Sequence, residues 1–151
     1  MVITLKYANI LKDMKAKSQL EVAAIADPDA RYRAQVGTEK TVEIQRCISR
    51  AVNLLAHQCR RFLVNTYTEA SSDDINIPEQ YVFEFSMSER RMVGATEPLE
   101  EEMHAFSVHY ALAQFYSSVS QQELSNNHSK LTQDAQVNVM AILYHKNPPS
   151  A

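Results

Sequence analysis

Glycine is nearly missing from this chain: Gly37 and Gly94 are the only two in 151 residues. Barrels, sandwiches and dinucleotide-binding domains need many tight turns or a Gly-rich phosphate loop, and two isolated glycines supply neither. Tryptophan is absent and cysteine occurs twice. Cys47 and Cys59 fall in one predicted helix, so at ~1.5 Å rise per residue they stand about 18 Å apart, beyond disulfide reach. Both are expected to be buried small hydrophobes in a reducing compartment. No stretch approaches the roughly 18–20 uninterrupted apolar residues of a membrane span. Lys6, Asn9, Lys12 and Asp13 interrupt the opening segment, which therefore has no signal-peptide core.

What is present is ordinary globular material. The chain is 45% hydrophobic and 22% charged, with a formal charge of −3, and its length suits a single domain over residues 1–151. The charge is unevenly spread. Residues 1–64 carry eleven Lys and Arg against six Asp and Glu, whereas residues 65–151 carry four against twelve. Such a polarity fits two solvated faces of one domain, or complementary ends that attract neighbouring copies. The basic pairs Arg60-Arg61 and Arg90-Arg91 are isolated, so no aromatic-interleaved nucleic-acid stripe is formed.

Helix breakers divide the map. Val2–Leu5 is β-prone. A helix is predicted from about Tyr7 to Ala26 on Ile10, Leu11, Met14, Leu20 and Ala24, with a break near Ser18 and an end at Asp27-Pro28-Asp29. Residues 29–37 read as a loop or short helical turn. Ile44, Ile48, Val52, Leu55, Cys59 and Phe62 recur at steps of three and four, predicting a second helix that starts near Thr38 or Thr41 and runs to Val64 or Tyr67. Between Tyr81 and Ser88 the period changes to two: Tyr81, Phe83, Phe85 and Met87 share one face, Glu84, Ser86 and Ser88 the other. This half-buried strand cannot satisfy its own backbone. Its partner is Val2–Leu5, Arg91–Val93 after the turn, or another molecule.

Thr96 as N-cap, Pro98 in the first turn and Glu100 to Glu102 mark the start of a third helix, apolar around most of its circumference and therefore central. Ser125-Asn126-Asn127 is expected to link it to a fourth helix carrying Leu131, Ala135, Val139 and Ile142, which ends at Lys146-Asn147 before Pro148-Pro149. The fold class is thus mainly α: a four-helix domain with one small β element around 81–93, which pairing with 2–5 would complete.

Catalytic and metal signatures are weak. Glu101-x-x-His104 has a di-iron spacing, but no second such pair exists, and the helix dipole already accounts for the glutamates. His57, His104, His109, His128 and His145 never stand four apart on one helix face. Neither cysteine lies in a reactive motif. The reading is a binding or assembly protein, not an enzyme, with no cofactor and no metal.

With these elements in place the chain resembles a family: the short helical head–tail connector proteins, adaptor or head-completion, of tailed phages and prophages of gut bacteria. The resemblance runs the full length. It rests on VITLKYANILKDM, a long helix ending in CRRFL, a Y-x-F-x-F-x-M strand, the Glu-rich aromatic helix EEEMHAFSVHYALAQFYSSV, and the closing LYHKNPP. The chain departs from the family in having only Lys146 where a basic cluster is usual, and Phe115-Tyr116 where a tryptophan is often found.

The resemblance implies a virion protein forming a ring of identical copies beneath the portal, contacting portal and tail or neck proteins. It would extend a channel through which DNA passes without sequence-specific binding. Interface residues expected on this reading are Tyr81, Phe83, Phe85 and Met87, which would complete a sheet with a strand of the same or an adjacent subunit, and Arg90, Arg91 and Met92 at the following turn, which would reach a neighbour. Another virion assembly component, such as a tail-completion factor or chaperone, and a cellular helical protein-binding adaptor stand as the alternatives.

Overall fold

The computed structural model describes residues 1–70, 78–86 and 94–144. Among them are five α-helices and a three-stranded antiparallel sheet, so the fold is mainly helical with a small β element. The four expected long helices are all present, and the fifth is short. Met87, Arg90, Arg91 and Met92 lie outside the described residues, as do His145 and the expected helix end at Lys146-Asn147.

Strand β1 (Val2–Lys6) runs straight into helix α1 (Tyr7–Val22), which continues unbroken past Ser18. Ser18 is fully buried there, its hydroxyl donating to the Ala34 carbonyl at 3.3 Å and accepting from the Val36 amide at 3.0 Å. This clamp holds the next segment against α1. Asp27 caps helix α2 (Pro28–Ala34), its carboxylate accepting from the Asp29 amide at 3.2 Å, with proline at the first helical position. Leu20, expected on the apolar stripe, is instead 79% exposed.

Helix α3 (Thr41–Cys59) buries Ile44, Ile48, Val52, Leu55 and Cys59 on one face, as its spacing predicts. It ends sooner than expected. A 3-10 turn at Arg60–Phe62 leads into strand β2 (Leu63–Ala70). The segment Leu63-Val64-Asn65-Thr66-Tyr67-Thr68 is rich in β-branched and aromatic residues, and pairing with strand β3 (Pro78–Phe85) satisfies its backbone as no neighbouring helix could.

Strand order is β1-β3-β2, which puts the aromatic strand at the centre. Ile3 lies opposite Phe83 and Leu5 opposite Tyr81 on one side; Thr66 lies opposite Phe83 on the other. The expected partner Val2–Leu5 is therefore the right one, but a second strand from the same chain fills the remaining edge. Tyr81, Phe83 and Phe85 are between 0% and 4% exposed and belong to the main core. Their expected role at an intersubunit interface is corrected accordingly. The period-two pattern marks an apolar face, and the chain's own helices cover it.

Helix α4 (Thr96–Ser118) starts one residue from the expectation: Ala95 is the N-cap position, and the Thr96 hydroxyl is directed to the Met1 sulfur at 3.3 Å. It packs on α1, α3, β1 and helix α5 (Gln122–Tyr144), the central position its broad apolar surface predicts. Phe106, Phe115 and Tyr116 are fully buried, each such side chain contributing about 1.5–3 kcal/mol by transfer from water.

The α4–α5 break differs from the expectation as well. Ser125, Asn126 and Asn127 lie inside α5, and the Ser125 hydroxyl donates to the Ala113 carbonyl at 2.8 Å. The chain reverses at Val119–Gln121 through a Schellman closure: Gln121 N–H reaches the Tyr116 carbonyl at 2.9 Å and Ser120 N–H the Ser117 carbonyl at 3.3 Å. Ser120 holds φ at 61° there, a left-handed conformation that glycine adopts without steric cost. Ser120→Gly is expected to stabilise the fold by about 0.5–1 kcal/mol, read as a higher urea midpoint at unchanged slope. A lower midpoint would show that the serine side chain itself holds the turn.

Candidate functional site

A largely buried cluster of ionisable side chains is built where α1, α4 and α5 meet. Glu21 comes from the last turns of α1, His109 and Tyr116 from α4, and His128 from α5. His128 is 2% exposed. Its Nε2 lies 2.9 and 2.7 Å from the two Glu21 carboxylate oxygens, and its Nδ1 lies 3.0 Å from His109 Nδ1. The Tyr116 hydroxyl donates to the same carboxylate at 3.1 Å. The two imidazoles stack with centroids 5.2 Å apart.

This geometry limits where the protons can lie. A carboxylate only accepts, so His128 Nε2 carries a hydrogen. Two N–H groups cannot face each other at 3.0 Å, so exactly one proton lies between the two Nδ1 atoms. Either ring can carry that proton, and the direction of the bond follows the tautomer. Desolvation, reinforced by His128 and then Lys17, pushes His109 down to about 4, which keeps it neutral at pH 7. Burial likewise pushes the Tyr116 phenol upward, so it remains a donor. The set can share and hold protons across a helix junction. Glu21, His109 and His128 line none of the surface grooves described below, so no substrate reaches them by those routes.

His104 does not pair with Glu101. Its Nε2 meets the Asp13 carboxylate of α1 at 2.5 Å, while Glu101 is exposed. Among the described residues no three His, Cys, Asp or Glu side chains converge in an arrangement that holds a metal. Both cysteines are buried thiols, and burial raises each, Cys59 to about 12. A thiol held there is almost wholly protonated at pH 8. Cys59 is therefore expected to react with a disulfide reagent more than about 100-fold slower in the native protein than in urea. Comparable rates would place Cys59 in an open site.

Two grooves of opposite charge lie at opposite ends of α4. One, about 820 Å³, runs between β1–α1 and the start of α4, with Glu97, Glu100 and Glu101 on one wall and Lys6 and Lys12 on the other. The second, about 660 Å³, is formed by α2, α3 and the end of α4, and carries Arg33, Lys40, Arg46 and Arg50 against the single carboxylate of Glu43. The Lys40 ammonium is engaged: it donates to the carbonyls of Tyr32, Arg33 and Gln35 at 2.9, 2.6 and 3.0 Å, closing the end of α2. Burial lowers its pKa.

Of the seven expected interface residues, three are core and four lie outside the described residues. The Glu21–His128–His109 set escapes any reading by spacing, because its members come from three helices, Glu21 and His128 being 107 residues apart. The basic groove left a partial trace, since Arg46 and Arg50 are four apart on the polar face of α3. No family model, curated protein or solved structure matches this chain.

Proposed function

We propose that this protein is a structural component of a tailed-phage neck: copies arranged as a ring beneath the portal, joining capsid to tail and extending the DNA channel. It acts through protein surfaces and not through a reacting centre. Besides the full-length resemblance, one observation supports the reading. The helical body is complete without β2 beyond Leu63: residues 64–69 are exposed on both faces, paired only through β3, with no second partner for their outer edge among the described residues. An arm that shelters so little of its own chain presents backbone donors and acceptors to a neighbour, as strand addition requires. In the particle the arm reaches the adjacent subunit or the next neck component. No helix among the described residues is long and apolar enough to cross a membrane, in keeping with a particle protein.

The test is peptide mass spectrometry of purified particles together with deletion of the gene. The reading expects a fixed number of copies per particle, and DNA-filled heads without tails on deletion. Infectious, tailed particles without the protein would overturn it. Tail loss with no copies in the mature particle would favour an assembly chaperone instead.

A further inference from the structure

We infer that copies of this chain associate end to end, the basic groove of one receiving the acidic N-terminal end of α4 of the next. This rests on the ring reading and names the surfaces that would make the ring.

The argument begins with position. Glu97 and Ser118, near the two ends of α4, are twenty-one residues apart, so the two grooves are roughly 30 Å apart along one rigid axis. Surfaces at opposite ends of a rod cannot meet within one molecule. Between molecules they produce a heterologous contact, which closes into a ring where the rotation per step permits.

Charge supplies the second part. The basic groove has four cations and one carboxylate, a net of +3. The acidic groove, counting Asp13 with the three glutamates against Lys6 and Lys12, has a net of −2. Arg33, Arg46 and Arg50 are exposed, and none forms an ion pair among the described residues. The same holds for Glu97, Glu100 and Glu101. Three guanidinium groups crowded beside a single carboxylate repel one another, and a neighbour's carboxylates relieve that repulsion while setting orientation. Guanidinium suits the task, because its planar fork takes a carboxylate with two parallel hydrogen bonds. The helix dipoles run head to tail in the same sense, the C-terminal end of one α4 approaching the N-terminal end of the next.

The experiment uses the full chain in sedimentation velocity at about 50 mM and about 500 mM salt, where screening lengths differ several-fold. Wild type is expected to associate at low salt and to dissociate at high salt. Arg46→Glu with Arg50→Glu, and separately Glu97→Lys with Glu100→Lys, each abolish self-association, with at least about a tenfold rise in the apparent dissociation constant. An equimolar mixture of the two variants associates again, because each supplies the surface that the other has lost. All four positions are exposed, and an unchanged thermal transition shows that the variants fold; Arg46→Gln with Arg50→Gln gives a milder second reading.

A wild type that stays monomeric at low salt, variants that associate normally, or a mixture that fails to associate each overturns the inference. Retention of DNA by the basic groove without self-association does so too. The neck reading fails separately. Protein found in particles while the reversed variants assemble normally discards this contact alone. Reciprocal charge dependence in a protein that particles do not contain discards the neck alone.

Discussion

Phe83→Ala is expected to remove about 3–5 kcal/mol of stability, and Phe83→Asp to leave no folded protein at neutral pH. The ring is fully buried at the centre of the central strand, flanked by Ile3 and Thr66 and stacked on Phe85 with centroids 6.5 Å apart. Truncation leaves a cavity between sheet and helices that a strand held on both sides cannot collapse to fill. A carboxylate there has neither water nor a cation, and a domain of this size is stable by only about 5–15 kcal/mol in total. Urea unfolding followed by circular dichroism measures the first variant, and soluble yield with far-ultraviolet spectra the second. A folded Phe83→Asp with a wild-type midpoint would show that the aromatic face is not core and would return it to the intermolecular role that its sequence pattern also allows. Loss of assembly in that variant, taken alone, says nothing about an interface.

That ambiguity is intrinsic to the pattern. Alternation over 81–87 specifies that one face is apolar and that the backbone needs partners; it does not specify whose side chains cover the face. One element packed on the strand is α1, far upstream in sequence, and no local rule joins the two. Strand β2 was illegible for a different reason. The stripe of α3 continues in helical register to Phe62, and neither glycine nor proline intervenes before Leu63. The change of structure is made by one 3-10 turn at Arg60–Phe62 and fixed by pairing with β3, a tertiary choice that overrides a plausible helical continuation.

The opposite error occurs at Ser125-Asn126-Asn127, whose composition is that of a linker. Its first serine spends its hydroxyl on the Ala113 carbonyl across the helix pair, and the real break, at Ser120, carries no glycine to announce it. The central helix and the stripe of α3 were legible because each rests on many residues that agree. The buried histidine cluster and the grooves were not, because they exist only once separate helices are docked.

That cluster yields the second large effect. Glu21→Ala is expected to cost about 2–4 kcal/mol at neutral pH, since it takes the carboxylate acceptor from His128 Nε2, which lies in the interior, and from the Tyr116 hydroxyl. Acid should act on the same junction. His109 is pushed down to about 4 in the fold, from an ordinary 6.5, first by desolvation and then by His128 and Lys17, with Glu21 pulling the other way. A base whose folded pKa is depressed binds protons more readily when unfolded. Its contribution is therefore complete above pH 6.5 and is lost as pH falls toward 4. Discounted for the partly exposed ring, that loss is about 1–2 kcal/mol. His109→Asn separates the terms. An asparagine amide can donate from nearly the position of Nδ1 but does not titrate, so the variant should keep its stability at pH 7 to within about 1 kcal/mol and lose the slope between pH 6.5 and 4. Urea midpoints across that range decide it: the same slope with and without the imidazole would mean that the proton between these two rings is not what acid disturbs.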